Sequence, residues 1–288
     1  MYSISSNVIK VDISSKGAEL QHIHHIENGL EYLWQAGPEW PKKSPVLFPI
    51  IGELKDKKYT YKGEEYNLSR HGFAREAEFT VKEHTNDSIT FTTQSNETTL
   101  AVYPFDFVFS VKYSVASNIL TVTYIVQNTG DEVMYFSVGG HPAFKVPIAE
   151  GTTYKDYELV FDQPETAGRW PLTADGLVKD TPTPLLYNET TLSLKKELFS
   201  ADAIVFKHLK STAVSIKSAK TDHGLTVSFP GFPYLGIWET KGGDYLCIEP
   251  WCGIADSANA SGKLEEKEGI NKLETSTTFQ AAFTVELF

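Results

Sequence analysis

A chain of 288 residues with 41% hydrophobic, 12% aromatic and 22% charged residues has ample material for a large core, which excludes a disordered chain. A formal net charge of −11 argues against a nucleic-acid partner, because phosphate backbones are bound by concentrated Lys and Arg. No run of about 18 apolar residues occurs and Met1 to Val11 alternates polar with apolar residues, so neither a membrane span nor a signal peptide is expected. In chain order, period-2 apolar patterning predicts strands over Val8–Ile13, Phe105–Tyr113, Ile119–Gln127, Val133–Val138, Leu225–Phe229, Tyr234–Trp238, Tyr245–Glu249 and Phe279–Phe288. Turn residues stand between them at Glu27–Gly29, Tyr61–Glu64, Ser117–Asn118, Thr129–Asp131 and Lys241–Asp244.

The helical repeat is confined to short stretches around Lys195–Phe199 and Ser261–Lys267. Closely spaced strands with so little helix imply sheet stacked on sheet, an all-β, large antiparallel β-sandwich with few short helices. No linker, internal repeat or low-complexity tract divides the chain, so one domain over residues 1–288 is expected. The stretch Ala149–Tyr187, with four prolines, reads as loops and edge strands. Lys55–Lys58 reads as a hairpin tip and Lys263–Lys267 as a mixed-charge surface segment. His22, His24 and His25 alternate across a strand and converge on no further ligand. Cys247 and Cys252 are the only cysteines; with no two further ligands at zinc spacing they read as reduced thiols of a cytoplasmic protein. No metal or cofactor motif is present, and the sequence carries no signal for oligomeric state.

Three segments carry titratable residues among turn formers inside apolar strands. In Tyr245–Trp251, Tyr245, Cys247 and Glu249 share one face, and Pro250, which cannot donate to a ladder, is expected to end the strand at Glu249. A carboxylate among Ile248, Pro250 and Trp251 has the environment of a tuned general base, although a solvated strand-end glutamate fits the position too. In Val138–Phe144, Gly139 and Gly140 permit close backbone approach and Pro142 favours an extended His141, whose imidazole is suited to proton transfer near neutrality. The alternative is a structural histidine beside a turn. In Ser69–Arg75, His71 and Arg75 would share a face if the backbone were helical, and Arg75 has Glu76 and Glu78 as possible partners.

Taken together, Gly140–Phe144, Leu235–Trp238 and Cys247–Trp251, with Leu47–Gly52 and His71–Arg75 in the same order, resemble the aldose 1-epimerase (galactose mutarotase) family, in particular its LacX-like branch. The resemblance runs from Gly17–Leu20 to the final strand. It implies the galactose mutarotase-like supersandwich, an aldose substrate and no cofactor. It also implies Glu249 as the base on the anomeric hydroxyl and His141 as the acid on the ring oxygen. His71 would hydrogen-bond the substrate, and Asp202 would bind sugar hydroxyls. Arg75 is the basic candidate for substrate oxygens, with Arg70 beside it, because Glu53 stands where this branch often carries arginine. A hexose 6-phosphate mutarotase, a glycosidase and a non-catalytic sugar-binding protein are the alternatives. Hydrolysis is disfavoured, since it generally uses two carboxylates.

Overall fold

The computed structural model describes all residues, Met1–Phe288. Its strands are β1 Tyr2–Ser5, β2 Ile9–Ile13, β3 Leu20–His25, β4 Val46–Leu47, β5 Lys58–Tyr61, β6 Glu64–Asn67, β7 Thr80–His84 and β8 Ser88–Gln94. They continue as β9 Phe107–Ala116, β10 Ile119–Asn128, β11 Met134–Phe136, β12 Val138–Gly140, β13 Ala143–Lys145, β14 Tyr157–Glu165, β15 Gly168–Arg169 and β16 Thr183–Pro184. The remainder are β17 Glu189–Ser193, β18 Ile204–Lys207, β19 Ala213–Ser218, β20 Thr221–Ser228, β21 Tyr234–Trp238, β22 Tyr245–Cys252, β23 Asn271–Leu273 and β24 Thr278–Leu287.

Nine strands form one antiparallel sheet in the order β17-β14-β19-β20-β24-β10-β9-β8-β7. A six-stranded sheet runs β18-β21-β22-β12-β4, with β13 also paired to β22. Alternation decides what each face buries. In β9, Phe107, Phe109, Val111, Tyr113 and Val115 point inward, and Leu120, Val122, Tyr124 and Val126 do so in β10. These side chains join Leu235, Ile237, Leu246 and Ile248 of β21 and β22 in one contiguous core of 61 buried residues. Every residue of β22 is buried. Leu246 and Ile248 face that core, so Cys247, Glu249 and Trp251 are turned to the opposite face, where a cavity lies.

Several expectations need correction. Pro250 does not end β22, which continues to Cys252. Ile248 N–H donates to Pro142 O, so two residues on the missing Pro250 donor faces the same flank, where the partner chain is interrupted between β12 and β13. The Val133–Val138 strand breaks at Ser137, because β11 pairs with β23 whereas β12 pairs with β22 and β4. Ser137 N–H turns aside to Pro49 O. Within Ala149–Tyr187, β14 is an interior strand held between β17 and β19, although residues 166–187 do run as loops and short pairings. Lys55–Lys57 is a 3₁₀ turn, and the hairpin tip falls instead at Lys62–Gly63 between β5 and β6. The two helical stretches are 3₁₀ turns, Lys196–Phe199 and Leu264–Glu266. The one α-helical turn, Glu97–Leu100, was not foreseen; Asn96 caps it by accepting from Thr99 N–H.

Lys267 is not a surface residue. Its ammonium lies 2.6 Å from Asp256 Oδ1, with both side chains buried. Asp256 Oδ2 also accepts the Lys55 N–H, which ties the segment after β22 to the 3₁₀ turn before β5. No helix is long and apolar enough to cross a membrane.

Candidate active site

A cavity of about 490 Å³ opens against β22 and is lined by Glu249, His141, His71, Arg75, Arg70 and Asp202, among others. It therefore collects all five sequence-derived site residues, and Arg70 with them.

The geometry of the central pair follows from the ladder. β12 pairs Gly139 with Trp251 and β13 pairs Ala143 with Cys247, which is one uninterrupted register. His141 thus stands opposite Glu249. His141 N–H donates away from β22, to Pro45 O, so the two residues form a non-hydrogen-bonded pair, the kind in which facing side chains approach most closely. His141 Nε2 lies 3.4 Å from Glu249 Oε2. Close backbone approach delivers the imidazole there: a Cβ on Gly139 would fall 2.7 Å from Pro250 O, and one on Gly140 2.7 Å from the Tyr124 hydroxyl. Trp40 stacks on the His141 ring at 5.1 Å, and Trp238 meets it edge-on at 5.5 Å.

Electrostatics in the empty cavity favours neutral groups. Burial raises the Glu249 carboxyl well above the usual carboxylate range, opposed by the Arg70 guanidinium and the Trp251 indole N–H. Burial also lowers the His141 imidazole to about 3, with Arg75 and Arg70 acting in the same direction. The Glu249 Oε2 and His141 Nδ1 atoms are buried without hydrogen-bond partners. Glu249 is 2% exposed, so the alternative of a solvated strand-end glutamate is removed.

His71 is fixed from both sides by Gly52. Its N–H donates to Gly52 O at 2.9 Å, and its Nδ1 accepts the Gly52 N–H at 3.1 Å. The neutral ring consequently carries its proton on Nε2. Burial and the neighbouring His141, Arg70 and Arg75 hold this imidazole well below its usual value. The condition of a helical backbone from His71 to Arg75 is not met. His71 and Gly72 both adopt left-handed backbone, and a Cβ on Gly72 would lie 2.3 Å from Phe48 O. The 3₁₀ turn begins only at Ala74, and the tight turn rather than a helical face brings His71 and Arg75 to one cavity. Glu76 pairs with Lys16 and Lys42, so it is not a partner for Arg75, whose Nε is buried and unpartnered, as is that of Arg70.

Asp202 sits at the cavity wall with left-handed backbone, its carboxylate accepting the Ala203 N–H at 2.8 Å and its carbonyl accepting from Arg169 at 2.6 Å. Sequence reasoning missed Arg169 as its support and Phe199, Glu239 and Lys241 as wall residues. Of the five tryptophans, Trp40, Trp238 and Trp251 line the cavity; Trp238 and Trp251 each end a motif that carried the resemblance, and Trp40 does not. Glu53 lines a neighbouring cleft together with Arg70. The histidines of β3 remain apart from the site, with His22 Nδ1 2.9 Å from Glu31. The fold does bring two potential ligands to Cys247, whose sulfur lies with His141 and Glu249 atoms inside 4.8 Å, contrary to the spacing argument. Burial raises that thiol well above its ordinary value, which keeps it protonated and disfavours ligation.

This strand arrangement has counterparts among solved structures. A galactose mutarotase related enzyme from Lactobacillus acidophilus superposes with a TM-score of 0.95 at 41% identity, over 100% of this chain and 97% of that one. A galactose mutarotase-like protein from Lactobacillus casei ATCC 334 gives a TM-score of 0.91 at 29% identity over 100% of both chains. Protein LacX of Lactococcus lactis subsp. lactis is 34% identical over 295 residues, 99% of this chain and 98% of its own length. The family model for aldose 1-epimerase matches residues 1–271. The expected galactose mutarotase-like fold is thereby met, and the chain belongs to the aldose 1-epimerase family.

Proposed function

We propose that this protein interconverts the α and β anomers of an aldose by general acid–base ring opening and closure, with Glu249 and His141 as the catalytic residues. The observation that carries the proposal is the buried, register-matched Glu249–His141 pair, Oε2 to Nε2 at 3.4 Å, on the wall of the cavity. No cofactor takes part in the reaction as written. Glu249 as carboxylate takes the C1 hydroxyl proton while protonated His141 gives a proton to the ring oxygen. The C1–O5 bond breaks, leaving a free aldehyde and a C5 hydroxyl, and C1–C2 turns by about half a revolution, as anomer exchange requires. Ring closure then reverses both transfers.

One shared proton serves both directions. The neutral pair, with the proton on Glu249, is the form that closes the ring; the charge-separated pair is the form that opens it. A sugar ring that brings hydroxyls to both groups supplies hydrogen bonds that favour the charge-separated form. In this reading the His71 Nε2–H donates to the substrate near its ring oxygen, and Asp202 and Arg75 hold its hydroxyls.

A second reading has an observation in its favour. Two guanidiniums with buried, unpartnered Nε groups in one cavity suit an anionic substituent, as in a hexose 6-phosphate. Polarimetry on freshly dissolved galactose, glucose and their 6-phosphates tests both readings. Faster mutarotation than in buffer is expected with the preferred sugar. Binding without acceleration of any of them would reduce the protein to a sugar binder.

A further inference from the structure

Beyond the strand pairing Ile204–Ile237, the chains of β18 and β21 part and form one side of the cavity mouth. Phe199 and Asp202 stand on the first branch; Trp238, Thr240 and Lys241 stand on the second. No ladder joins these branches. A single ion pair does: Lys196 Nζ, at the head of the 3₁₀ turn that carries Phe199, lies 3.0 Å from Glu239 Oε2. The same ammonium donates to Gly243 O and sits 3.5 Å from the Tyr154 ring centroid. The Glu239 side chain is 1% exposed, so its charge depends on that partner.

We infer that Lys196 and Glu239 are positioning residues that fix this wall of the cavity, and thereby set substrate affinity without taking part in proton transfer. The inference rests on the sugar-site reading above. Cutting the pair with Lys196→Met leaves Glu239 buried without its counter-charge and removes the link to Gly243 O, which frees the turn Trp238–Asp244 from the turn Lys196–Phe199. Lys196→Arg keeps a cation within reach and serves as the conservative rescue.

The test combines hydrogen exchange of the ligand-free variants with calorimetric affinity for D-galactose and kinetics. Lys196→Met is expected to speed exchange in residues 196–199 and 238–244, to weaken galactose binding and raise KM about tenfold, and to leave kcat within about twofold. Lys196→Arg should restore all three, and Lys196→Met/Glu239→Gln should bind no worse than Lys196→Met, because no orphan charge remains. Unchanged exchange in both segments overturns the inference, as does faster exchange with unchanged affinity, or a fall in kcat equal to the rise in KM. Absence of turnover in the wild-type protein would defeat the mutarotase reading alone, since exchange and affinity still report on the wall.

Discussion

His141 Nε2 and Glu249 Oε2 face each other at 3.4 Å, and burial presses both groups towards their neutral forms. A histidine and a glutamate at that distance titrate as a unit. The relevant quantity is the number of protons on the pair, one in the competent state, rather than the ionisation of either residue. Neighbours decide where that proton rests: Arg70 and Trp251 draw it off Glu249, whereas Asp202 holds it there.

Glu249→Gln and His141→Asn should each lower catalysed mutarotation by about 10²–10⁴-fold, the usual share of one positioned acid or base. Sugar binding should remain measurable by calorimetry, since each replacement keeps hydrogen-bonding capacity and shape. Turnover near the wild-type rate in either variant, followed by polarimetry, would remove that residue from the chemistry.

The dependence of kcat/KM on pH should be bell-shaped with its limbs assigned in reverse of ordinary values. On the acid side the pair gains a second proton as His141 titrates, towards a value of about 3. On the alkaline side the shared proton leaves Glu249, whose affinity for it is raised by burial. Neutrality then lies on the plateau. His141→Asn should abolish the acid limb of any residual activity and keep the alkaline one; loss of the alkaline limb instead would contradict the assignment.

Lys267→Met should destabilise the fold by about 3–5 kcal/mol, the usual cost of leaving one member of a buried ion pair without its partner. Asp256 would retain the Lys55 N–H but lose its counter-charge. The nearby Ile254 and Ala255 line the cavity, so substrate affinity should fall with stability. Denaturant unfolding gives the free energy. The double variant Lys267→Met/Asp256→Asn should recover part of the loss, and no recovery would mean that the alkyl chain of Lys267, not its charge, matters.

Most of the β architecture was legible because alternation, as over Ile119–Gln127, reports burial on one face directly. Pro250 misled because a missing donor ends a strand only if the neighbouring chain is there to want it, and that neighbour is an interruption more than a hundred residues earlier in sequence. Lys267 and β14 were misread for a related reason: composition marks them as surface, whereas long-range partners, Asp256 and the flanking strands, bury them. The site residues emerged through motifs, each with a local backbone device that sequence displays, Gly139–Gly140 before His141 and Gly72 after His71. Phe199, Glu239 and Trp40 lack such devices. Their place at the cavity depends on how separate loops meet, which no local pattern encodes.

The pair also ties function to stability in a way that depends on pH. Glu249 has a folded-state affinity for its proton far above that of an unfolded glutamate, which titrates near 4.3. Below that value both states hold the proton and burial of the carboxyl costs no ionisation energy. As pH rises from about 4.3 towards the raised folded value, the unfolded chain releases the proton and the native protein does not, so stability falls with pH through that window. Gln at this position is neutral throughout. Glu249→Gln should therefore raise Tm, little at pH 4 and increasingly towards pH 8, on a scale of about 2–4 °C per kcal/mol for a protein of this size. His141 acts oppositely: its lowered imidazole makes stability fall as pH drops from about 6.5 towards 3, whereas above about 6.5 it is neutral in folded and unfolded chains alike, in wild type and in Glu249→Gln. The difference between the two melting curves thus isolates Glu249. A Tm difference that is flat or shrinks as pH rises would mean that the carboxyl is ionised in the empty site and that Arg70 outweighs its burial; a widening difference, together with lost turnover, would identify a group kept for its chemistry at the expense of the fold.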